Sequence, residues 1–477
     1  MKISRKFILS ILLSIGLTGL FLVAFGCRKI RQDMLIATQA KISLNTRKSG
    51  STDPVRYPAD ARIIAFYPGR PGSVKILTED FHSAAFPEIS YAGTHILFTG
   101  QKNSGDPWQI WEMNLKNFKY RQIIESIEDC TDPAYLPGGR LVYSKLTVND
   151  TVLAAHCLYT ANLDGSDKRQ ITFSPCDNFS TLVMKDGRLL TVSRQLVPVK
   201  NDAKLMVMRP DGTKADMFYM KKGSSIVVSN PRETGDGKIV FIESYGDSDN
   251  GGSLAGISYN RPLHSHIDFS SGNTEMFLSV LPLTTDKYII SCRETDTAKF
   301  TLYEYDPVKK HPGEIVLSDP EFDILDVVQA KEHERPKKLP SEVDMQVKTG
   351  LLLCQDINFT GYTAETSSPD GRKAQMIEVL GIDTTYGIIP VEGDGSFQLK
   401  VLSDKPFMIR TLDGKGNSVS DPCSWLWLRP NERRGCVGCH EDPELAPVNR
   451  VSQAIKKPPV TIPVNVTAVK EKIVELE

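Results

Sequence analysis

Short apolar strands that follow tight turns recur along the first two thirds of this chain at a nearly constant spacing. Five such turn and strand pairs are readable: Gly93-Thr94 before 95–98, Gly138-Gly139-Arg140 before 141–143, Asp186-Gly187-Arg188 before 189–190, Asp236-Gly237-Lys238 before 239–241, and Thr285-Asp286-Lys287 before 288–290. The turns lie about 46 to 50 residues apart, which is the length of one four-stranded propeller blade. The spacing therefore predicts a β-propeller.

Most of these units also carry a second strand that runs into an Asp-Gly or Pro-type turn. The fourth unit, around residues 256–259, fits this pattern poorly. A sixth blade is expected from the segment after Asp319 together with the strand 62–66, because joining both ends in one blade leaves no open sheet edge. The units resemble the WD40-like six-bladed propellers of the Tol type, and we expect this domain over residues 60–335.

A second β-rich region follows the propeller. A charged, proline-containing linker is expected over 336–345. Beyond it, four apolar strands separated by Gly-Asp-Gly and Asp-Gly turns predict a small sandwich-like domain within 346–450. The strands read from the sequence are 350–354, 375–380, 396–401 and 406–410. The fold class is thus all-β, with a propeller, a sandwich-like middle domain and an extended tail over 451–477.

The N-terminus has the layout of a secretory signal. Basic residues precede an apolar run over 7–23, which closes on Ala24-Phe25-Gly26-Cys27 and resembles a bacterial lipobox. We therefore expect a signal peptide over 1–26, a lipidated Cys27 and a tether over 27–59. An uncleaved anchor is the alternative, because the run approaches membrane-spanning length. Either way we expect a membrane-anchored protein of the periplasm or cell surface, where further disulfides can form in a pattern that the sequence does not select.

The charge balance excludes one class of partner. The chain has 57 lysine and arginine residues against 58 aspartate and glutamate residues, a formal net charge of -1. No basic excess is present to attract a polyanion, so nucleic-acid binding is not expected. Glycine-rich phosphate loops and Ser/His nucleophile motifs are also absent from the sequence.

One motif carries specific chemistry, the run Cys436-Val437-Gly438-Cys439-His440. Two thiols at this spacing can add to the two vinyl groups of one haem, and the following histidine can reach the iron. We assign Cys436 and Cys439 to covalent attachment of one haem c, and His440 to the proximal iron ligand. Half of a zinc site or a redox dithiol are the alternatives. Trp425 and Trp427 are expected to pack near the porphyrin.

The second axial ligand is not evident downstream of the motif. The 37 residues after His440 contain no methionine, histidine or tyrosine. The ligand is therefore expected upstream, or the sixth position is open. His156 with Cys157 and His264 with His266 are the clustered candidates, although such residues are more often hydrogen-bonded loop or strand residues than ligands.

The order of domains and the segment 424–444 together resemble the hydrazine synthase alpha-subunit family. The specific part is Ser-Trp-Leu-Trp-Leu-Arg-Pro-Asn-Glu-Arg-Arg-Gly at 424–435, followed by the haem motif. The resemblance implies a haem between propeller and middle domain, an iron-ligating tyrosine shortly after the motif, and a motif histidine able to turn toward zinc. We expect Glu444 or a neighbour at the position of that tyrosine, and we expect no further multihaem region. The zinc ligands implied by the resemblance would be His440 with Cys157.

Three functional hypotheses follow. The leading one is a lipid-anchored monohaem protein for electron transfer or redox sensing, whose propeller docks a redox partner protein. The second is a haem enzyme related to hydrazine synthase, with an open iron site for a small nitrogen or oxygen species. The third is a propeller adhesion module whose haem is only structural. The oligomeric state is not indicated by the sequence.

Overall fold

The computed structural model describes residues 33–41, 57–149, 152–198, 203–220, 226–245, 251–270, 275–295, 297–359, 372–438, 444 and 450–464. The predicted signal peptide, Cys27, Cys439 and His440 lie outside these ranges. Among the described residues, no helix combines the length and apolar character needed to cross a bilayer. The described secondary structure consists of 32 strands and two short 3-10 turns, at Pro71–Ser73 and Gln453–Lys456. The predicted all-β class is confirmed.

Six four-stranded antiparallel sheets form the first domain. The innermost strands contact one another in a closed cycle, β4 to β8, β12, β16, β20, β24 and back to β4. The strands of all six sheets are, in chain order, β1 (Leu35–Ala40), β2 (Arg62–Phe66), β3 (Lys75–Ile76), β4 (Ser83–Ile89), β5 (His95–Gln101), β6 (Gln109–Asn114), β7 (Tyr120–Ile124), β8 (Cys130–Leu136), β9 (Arg140–Asn149), β10 (Val152–Asn162), β11 (Arg169–Gln170), β12 (Cys176–Val183), β13 (Leu189–Gln195), β14 (Lys204–Met208), β15 (Asp216–Tyr219), β16 (Ile226–Glu233), β17 (Lys238–Tyr245), β18 (Ser253–Ser258), β19 (Ile267–Asp268), β20 (Met276–Pro282), β21 (Tyr288–Arg293), β22 (Thr301–Asp306), β23 (His311–Leu317) and β24 (Asp323–Gln329). Blades 1 to 5 are the sheets β4–β7, β8–β11, β12–β15, β16–β19 and β20–β23.

The sixth blade joins the two ends of the domain, with strand order β24-β1-β2-β3. The sequence predicted its outline, but placed residues 27–59 in a tether. The structure corrects that boundary, because β1 pairs with β24 on one side and β2 on the other. All six residues of β1 are buried, so the strand shows no alternation of polar and apolar residues and no turn motif marks it.

Two four-stranded sheets form the second domain, in the orders β31-β25-β28-β32 and β27-β26-β29-β30. Their bounds are β25 (Thr349–Cys354), β26 (Met376–Leu380), β27 (Thr385–Pro390), β28 (Phe397–Leu402), β29 (Met408–Leu412), β30 (Ser418–Ser420), β31 (Arg433–Cys436) and β32 (Val460–Thr461). Apolar side chains of both sheets meet in one buried cluster that includes Leu352, Ile377, Leu399 and Ile409. The predicted sandwich-like domain is therefore present.

Part of the predicted extended tail packs onto this domain. β32 pairs in parallel with β28, and Ala454 is buried with its backbone N–H donating to Ser396 Oγ at 3.0 Å. The expectation of an extended tail over 451–477 therefore needs correction for the described residues 450–464. β32 consists of only two residues, Val460 and Thr461, and so short a run does not predict a strand from the sequence.

The linker runs along one face of the propeller before it enters the middle domain. Backbone N–H groups of the linker and of the residues just before it bond to turns of blades 1 and 3, His333 N to Tyr91 O at 3.0 Å and Lys337 N to Lys185 O at 3.0 Å. Close approach is possible because Gly187, at φ +90°, has no side chain where the Lys337 carbonyl lies. The first part of the linker is therefore fixed on the propeller.

Candidate haem site

Cys436 is the last residue of β31, an edge strand that lies parallel to β25. It is in register with Cys354, and its side chain is partly buried against the apolar cluster of the middle domain. The backbone hydrogen bonding between the two segments continues beyond the strands, since Gln355 N donates to Cys436 O at 3.0 Å. The thiol of Cys436 is thus held on the hydrogen-bonded edge of a sheet. Cys439 and His440, the other predicted haem-binding residues, follow shortly after it.

The glycine inside the motif is constrained by its surroundings. A Cβ built on Gly438 would overlap the backbone carbonyl oxygen of Phe359, whereas a Cβ on Gly435 would meet no atom within 4 Å. Backbone atoms cannot move aside as a flexible side chain can. The motif therefore lies tightly against the loop that follows β25, and a glycine is needed at 438.

A buried glutamate fixes the start of β31 against the propeller. Glu432 accepts hydrogen bonds from Lys214 N at 2.8 Å, from Arg429 N at 2.8 Å and from the Arg434 guanidinium at 2.8 Å. Its side chain is fully buried, and Lys214 Nζ also donates to the Arg433 carbonyl at 2.8 Å. Because the carboxylate is paired on several sides, it joins the middle domain to the turn between β14 and β15.

A second carboxylate docks the far side of the motif on blade 4. Glu444 accepts from Leu263 N at 2.7 Å and from Arg261 Nε at 3.3 Å, and its side chain is only 9% exposed. Leu263 and Arg261 lie in the loop between β18 and β19. The haem segment, which we define as residues 436–444, therefore starts on the middle domain and ends on the propeller.

The two tryptophans before the motif anchor the middle domain to the propeller. Trp427 is buried among apolar residues of blades 2 and 3, including Leu158 and Met206, and its Nε1 has no hydrogen-bond partner. Trp425 packs with Met408 and donates from Nε1 to Val197 O at 2.6 Å. Neither belongs to the apolar cluster that includes Cys436, so their predicted contact with a porphyrin stays a prediction.

His156 and Cys157 are held in structural roles on blade 2. His156 Nδ1 lies 2.9 Å from Asp177 Oδ1 and its Nε2 lies 2.6 Å from Tyr57 Oη, so both ring nitrogens are engaged. Burial raises the pKa of Cys157 to about 12. That these residues are zinc or distal iron ligands stays a prediction.

The other histidine pair lies on the blade that Glu444 contacts. His266 Nε2 is 3.1 Å from the buried carboxylate of Glu243, and its ring stacks at 5° on Tyr219. His264 is exposed and follows Leu263 directly. Of the two, His264 is placed at the tip of the loop that receives the haem segment.

The surroundings of the segment fit the attachment of a haem. Three exposed cations border it, Lys214, Arg261 and Arg433, and such cations complement the two carboxylates that every haem carries. Cys436 is partly accessible rather than enclosed, as addition to a vinyl group requires. Within the part of the chain that the structure describes, no group of three or more His, Cys, Asp or Glu is arranged to hold a metal ion. The predicted zinc therefore stays a prediction.

A large cavity in the described part of the chain lies away from the haem segment. A cavity of about 590 Å³ opens between blade 2, the linker and the middle domain, lined in part by Arg140, Phe173, Lys338 and Arg429. Phe173 lies under the Arg429 guanidinium, which also bonds to Asp404 at 2.7 Å. None of the described residues of the haem motif, Cys436 to Gly438, lines this cavity, so its size alone does not make it the haem site.

A small polar cavity marks the centre of the propeller. It has a volume of about 40 Å³ and is lined by charged residues of several inner strands, among them Glu88, Arg232 and Asp326. Burial raises the pKa of Glu88 and raises that of Asp326 to about 6, while Arg232 opposes both shifts. Sequence reasoning did not identify these residues, because each stands alone within an ordinary strand.

Comparisons with known proteins agree with this architecture. Residues 354–441 match the family model described as the hydrazine synthase alpha subunit middle domain. The hydrazine synthase subunit alpha of Kuenenia stuttgartiensis is 23% identical, over 81% of this chain and 63% of the relative. This chain thus spans less than two thirds of that curated relative.

Solved structures extend the comparison to the fold. The Kuenenia stuttgartiensis hydrazine synthase superposes with a TM-score of 0.75 at 20% identity, covering 89% of this chain and 71% of that chain. TolB from Acinetobacter baumannii matches with a TM-score of 0.45 at 11% identity, over 65% of this chain and 70% of that chain. The sequence predicted a resemblance to the hydrazine synthase alpha-subunit family, and these comparisons confirm that resemblance.

Proposed function

We propose that this chain is an exported, lipid-anchored protein that carries one c-type haem and serves in electron transfer or redox sensing. Cys436 and Cys439 hold the porphyrin, His440 ligates the iron, and Cys27 carries the lipid. The propeller is the scaffold on which a redox partner protein docks.

One observation carries the proposal: the complete Cys-x-x-Cys-His motif lies in the matched middle domain, and its first thiol is held on the edge of a sheet. When bound, the haem would supply a one-electron iron couple. The chain's own residues hold the haem segment in position. Glu432 fixes the strand that leads into the motif. Glu444, four positions after His440, is held by the propeller. Both contacts reach the propeller, so they hold the haem segment between the two domains.

Haem attachment is tested by expressing the full chain with a c-type maturation system and measuring covalent haem per polypeptide by mass spectrometry. We expect one haem in the native chain and none in the double variant Cys436→Ser, Cys439→Ser. Cys423→Ser is the matched control, since Cys423 lies outside the motif and its sulfur accepts a hydrogen bond from Ile409 N at 3.2 Å. A native chain with both motif thiols free would overturn the proposal.

Export and lipidation are tested separately. Incorporation of labelled fatty acid into the native chain, and its loss in Cys27→Ser, is the expected result. Recovery of an unlabelled native chain from the cytosolic fraction would contradict the proposed anchor. This experiment does not depend on haem, so the lipid anchor and the haem attachment are tested independently of each other.

A second function is favoured by the relation to hydrazine synthase. A haem enzyme with an open iron site would act on a small nitrogen or oxygen species. Rapid binding of carbon monoxide or nitric oxide to the reduced native protein supports the enzyme. A reduced protein that excludes both ligands supports electron transfer instead.

A further inference from the structure

The cavity between blade 2, the linker and the middle domain has the size of a small-molecule site. Its volume of about 590 Å³ lies within the range of about 300–1,000 Å³ that is typical of ligand pockets. All the residues that line it lie within the described ranges, and none of them belongs to the haem segment. We propose that this cavity binds a small organic carboxylate with a flat apolar body.

The body of this ligand would contact an apolar wall. Leu136, Ile171 and Phe173 supply the wall from blade 2, and Leu339 and Met345 supply it from the linker. Leu136 and Ile171 are buried in the apolar cluster that blades 2 and 3 share, and Phe173 packs against that cluster. Because the blade 2 side of the wall is anchored in a core, it exists before a ligand binds, which lowers the ordering cost of binding.

The cavity has a surplus of positive charge. Five of its lining residues are cationic and three are acidic, namely Arg140, Arg169, Lys337, Lys338 and Arg429 against Asp167, Asp211 and Asp404. Asp167 is shared between two of the arginines, at 2.6 Å and 2.7 Å, and Asp404 pairs with Arg429 at 2.7 Å. Among the described residues, no carboxylate lies within ion-pair distance of Lys337 or Lys338. A ligand that carries one or two negative charges would therefore balance the surplus.

A buried arginine offers the carboxylate a specific donor. The Arg429 side chain is only 7% exposed, and its guanidinium lies over Phe173, 4.7 Å from the ring centroid. Its Nε donates to the Asp211 carbonyl at 3.0 Å and its Nη1 donates to Asp404 at 2.7 Å. Its Nη2 donates to no described residue and is the donor for the bound carboxylate. Charge-assisted hydrogen bonds of this kind are stronger than those between neutral groups.

The linker side of the cavity is held in place before a ligand binds. Glu342 N donates to Asp211 Oδ2 at 2.7 Å, which ties the linker region to the turn between β14 and β15. The Lys338 side chain lies over the turn at Gly138, where a Cβ would be 3.2 Å from Lys338 Nζ. The ammonium group of Lys338 is thereby placed on the wall of the cavity, close to blade 2.

The position of the cavity links binding to stability. Its walls come from the propeller, the linker and the middle domain, so a ligand in it would contact all three. These walls are together only in the folded chain, and a ligand that binds only the folded state stabilises that state. Binding should therefore raise the midpoint of thermal unfolding.

The test uses the full chain and 2-naphthoate as the probe, with isothermal titration calorimetry and the midpoint of thermal unfolding as the measurements. Two control ligands separate the two features of the probe. 2-Naphthamide keeps the flat apolar body without the charge, and inorganic phosphate keeps the charge without the apolar body. We expect 2-naphthoate to bind saturably at one site per chain and to raise the midpoint, and both control ligands to bind at least about tenfold more weakly.

Variants assign the binding to this cavity. Lys338→Gln removes a cation from the wall, and Met345→Trp puts a larger side chain at a lining position that is 53% exposed and can accept it. We expect the Kd for 2-naphthoate to rise at least about fivefold in each. Lys309→Gln removes another exposed cation, from the loop between β22 and β23, and should bind as the native chain does.

Arg429→Lys tests the buried donor. Lysine keeps the positive charge but lacks the Nη2 group, so we expect this variant to bind 2-naphthoate at least about fivefold more weakly as well. Arg429 also pairs with Asp404, so this variant could fold poorly. Lys338→Gln and Met345→Trp lie at exposed positions and keep the test decisive in that case.

Each remaining outcome overturns the proposal. Absence of binding at millimolar 2-naphthoate shows that the cavity is not a site for this class of ligand. Equal binding of 2-naphthamide removes the role of the cations, and equal binding of phosphate removes the role of the apolar wall. A Kd unchanged in Lys338→Gln or Met345→Trp places the probe elsewhere on the chain. None of these measurements involves haem, so they leave the proposed haem attachment to its own test.

Discussion

Single residues show where burial and charge work against each other in this protein. Asp326 is 6% exposed in the centre of the propeller and accepts a hydrogen bond from Thr38 N at 3.1 Å. Burial raises its pKa to about 6, even though Arg232 lowers it. The fully buried Glu432, in contrast, is compensated by several donors. Burial alone therefore does not decide the free-energy cost of a buried carboxylate. The number of hydrogen-bond donors around the carboxylate decides it.

Asp326→Asn should stabilise the protein above about pH 6. The aspartate loses its proton near pH 4 when unfolded but near pH 6 when folded, so its presence lowers stability as pH rises through that window and the penalty is complete above it. A shift of about two units corresponds to roughly 3 kcal/mol at most, with asparagine able to keep the bond from Thr38. Denaturant unfolding at pH 5 and pH 8 measures it. An equal pH dependence in both proteins would contradict the assignment.

Trp427→Ala should destabilise the junction between the domains. Truncating a buried tryptophan typically costs about 3–5 kcal/mol, because it removes contacts and leaves a cavity. Trp427→Phe should cost much less, since it keeps most of the apolar contact and removes an indole N–H that has no partner. The free energy of unfolding of the full chain is the measurement. Equal losses in the two variants would refute this account of the contact.

Single elements decide how the haem segment is presented. β31 is only four residues long, yet its pairing with β25 sets the direction of Cys436. The loop that follows β25 then confines Gly438, and the loop between β18 and β19 holds Glu444. The geometry of the motif therefore depends on three elements that are distant from one another in the sequence.

Gly438→Ala should reduce covalent haem attachment, because the new methyl group would overlap the Phe359 carbonyl and displace the motif from the sheet edge. Gly435→Ala is the matched control, since its Cβ would enter open space. We expect at least a severalfold lower haem content in the first variant and a native value in the second. Covalent haem per polypeptide is measured after co-expression with the maturation system. Equal haem content in the two variants would show that the close approach is not limiting.

The whole molecule depends on the closure of its ring. β1 lies between β24 and β2, so one short strand links the beginning of the described chain to the end of the propeller. Closure removes the sheet edges that an open ring would expose. Along the linker and through Glu432, Glu444 and the two tryptophans, the middle domain then packs on the same ring. Stability of the propeller and placement of the haem segment are thereby coupled.

Ala37→Asp should open the ring. Ala37 is fully buried at the centre of β1, and an unpaired carboxylate there costs several kcal/mol. We expect a large fall in the midpoint of thermal unfolding and faster proteolysis of the chain. Lys41→Gln, at the exposed end of the same segment, should leave both values near native. Retention of native stability by Ala37→Asp would show that β1 is not needed for closure.

The amino-acid sequence was enough to predict the blade repeat, the sandwich strands and the haem motif, because each is a local pattern of turns, apolar residues or paired thiols. It did not reveal β1, whose burial on both sides removes any alternation, nor the packed part of the tail. It singled out Trp425 and Trp427 for contact with a porphyrin, which stays a prediction, but did not show that both also pack at the junction with the propeller. Only the tertiary structure brought the turn at Lys214 to Glu432 and the loop at Leu263 to Glu444. Those contacts join residues more than 150 positions apart, and no local pattern encodes which distant surfaces will meet.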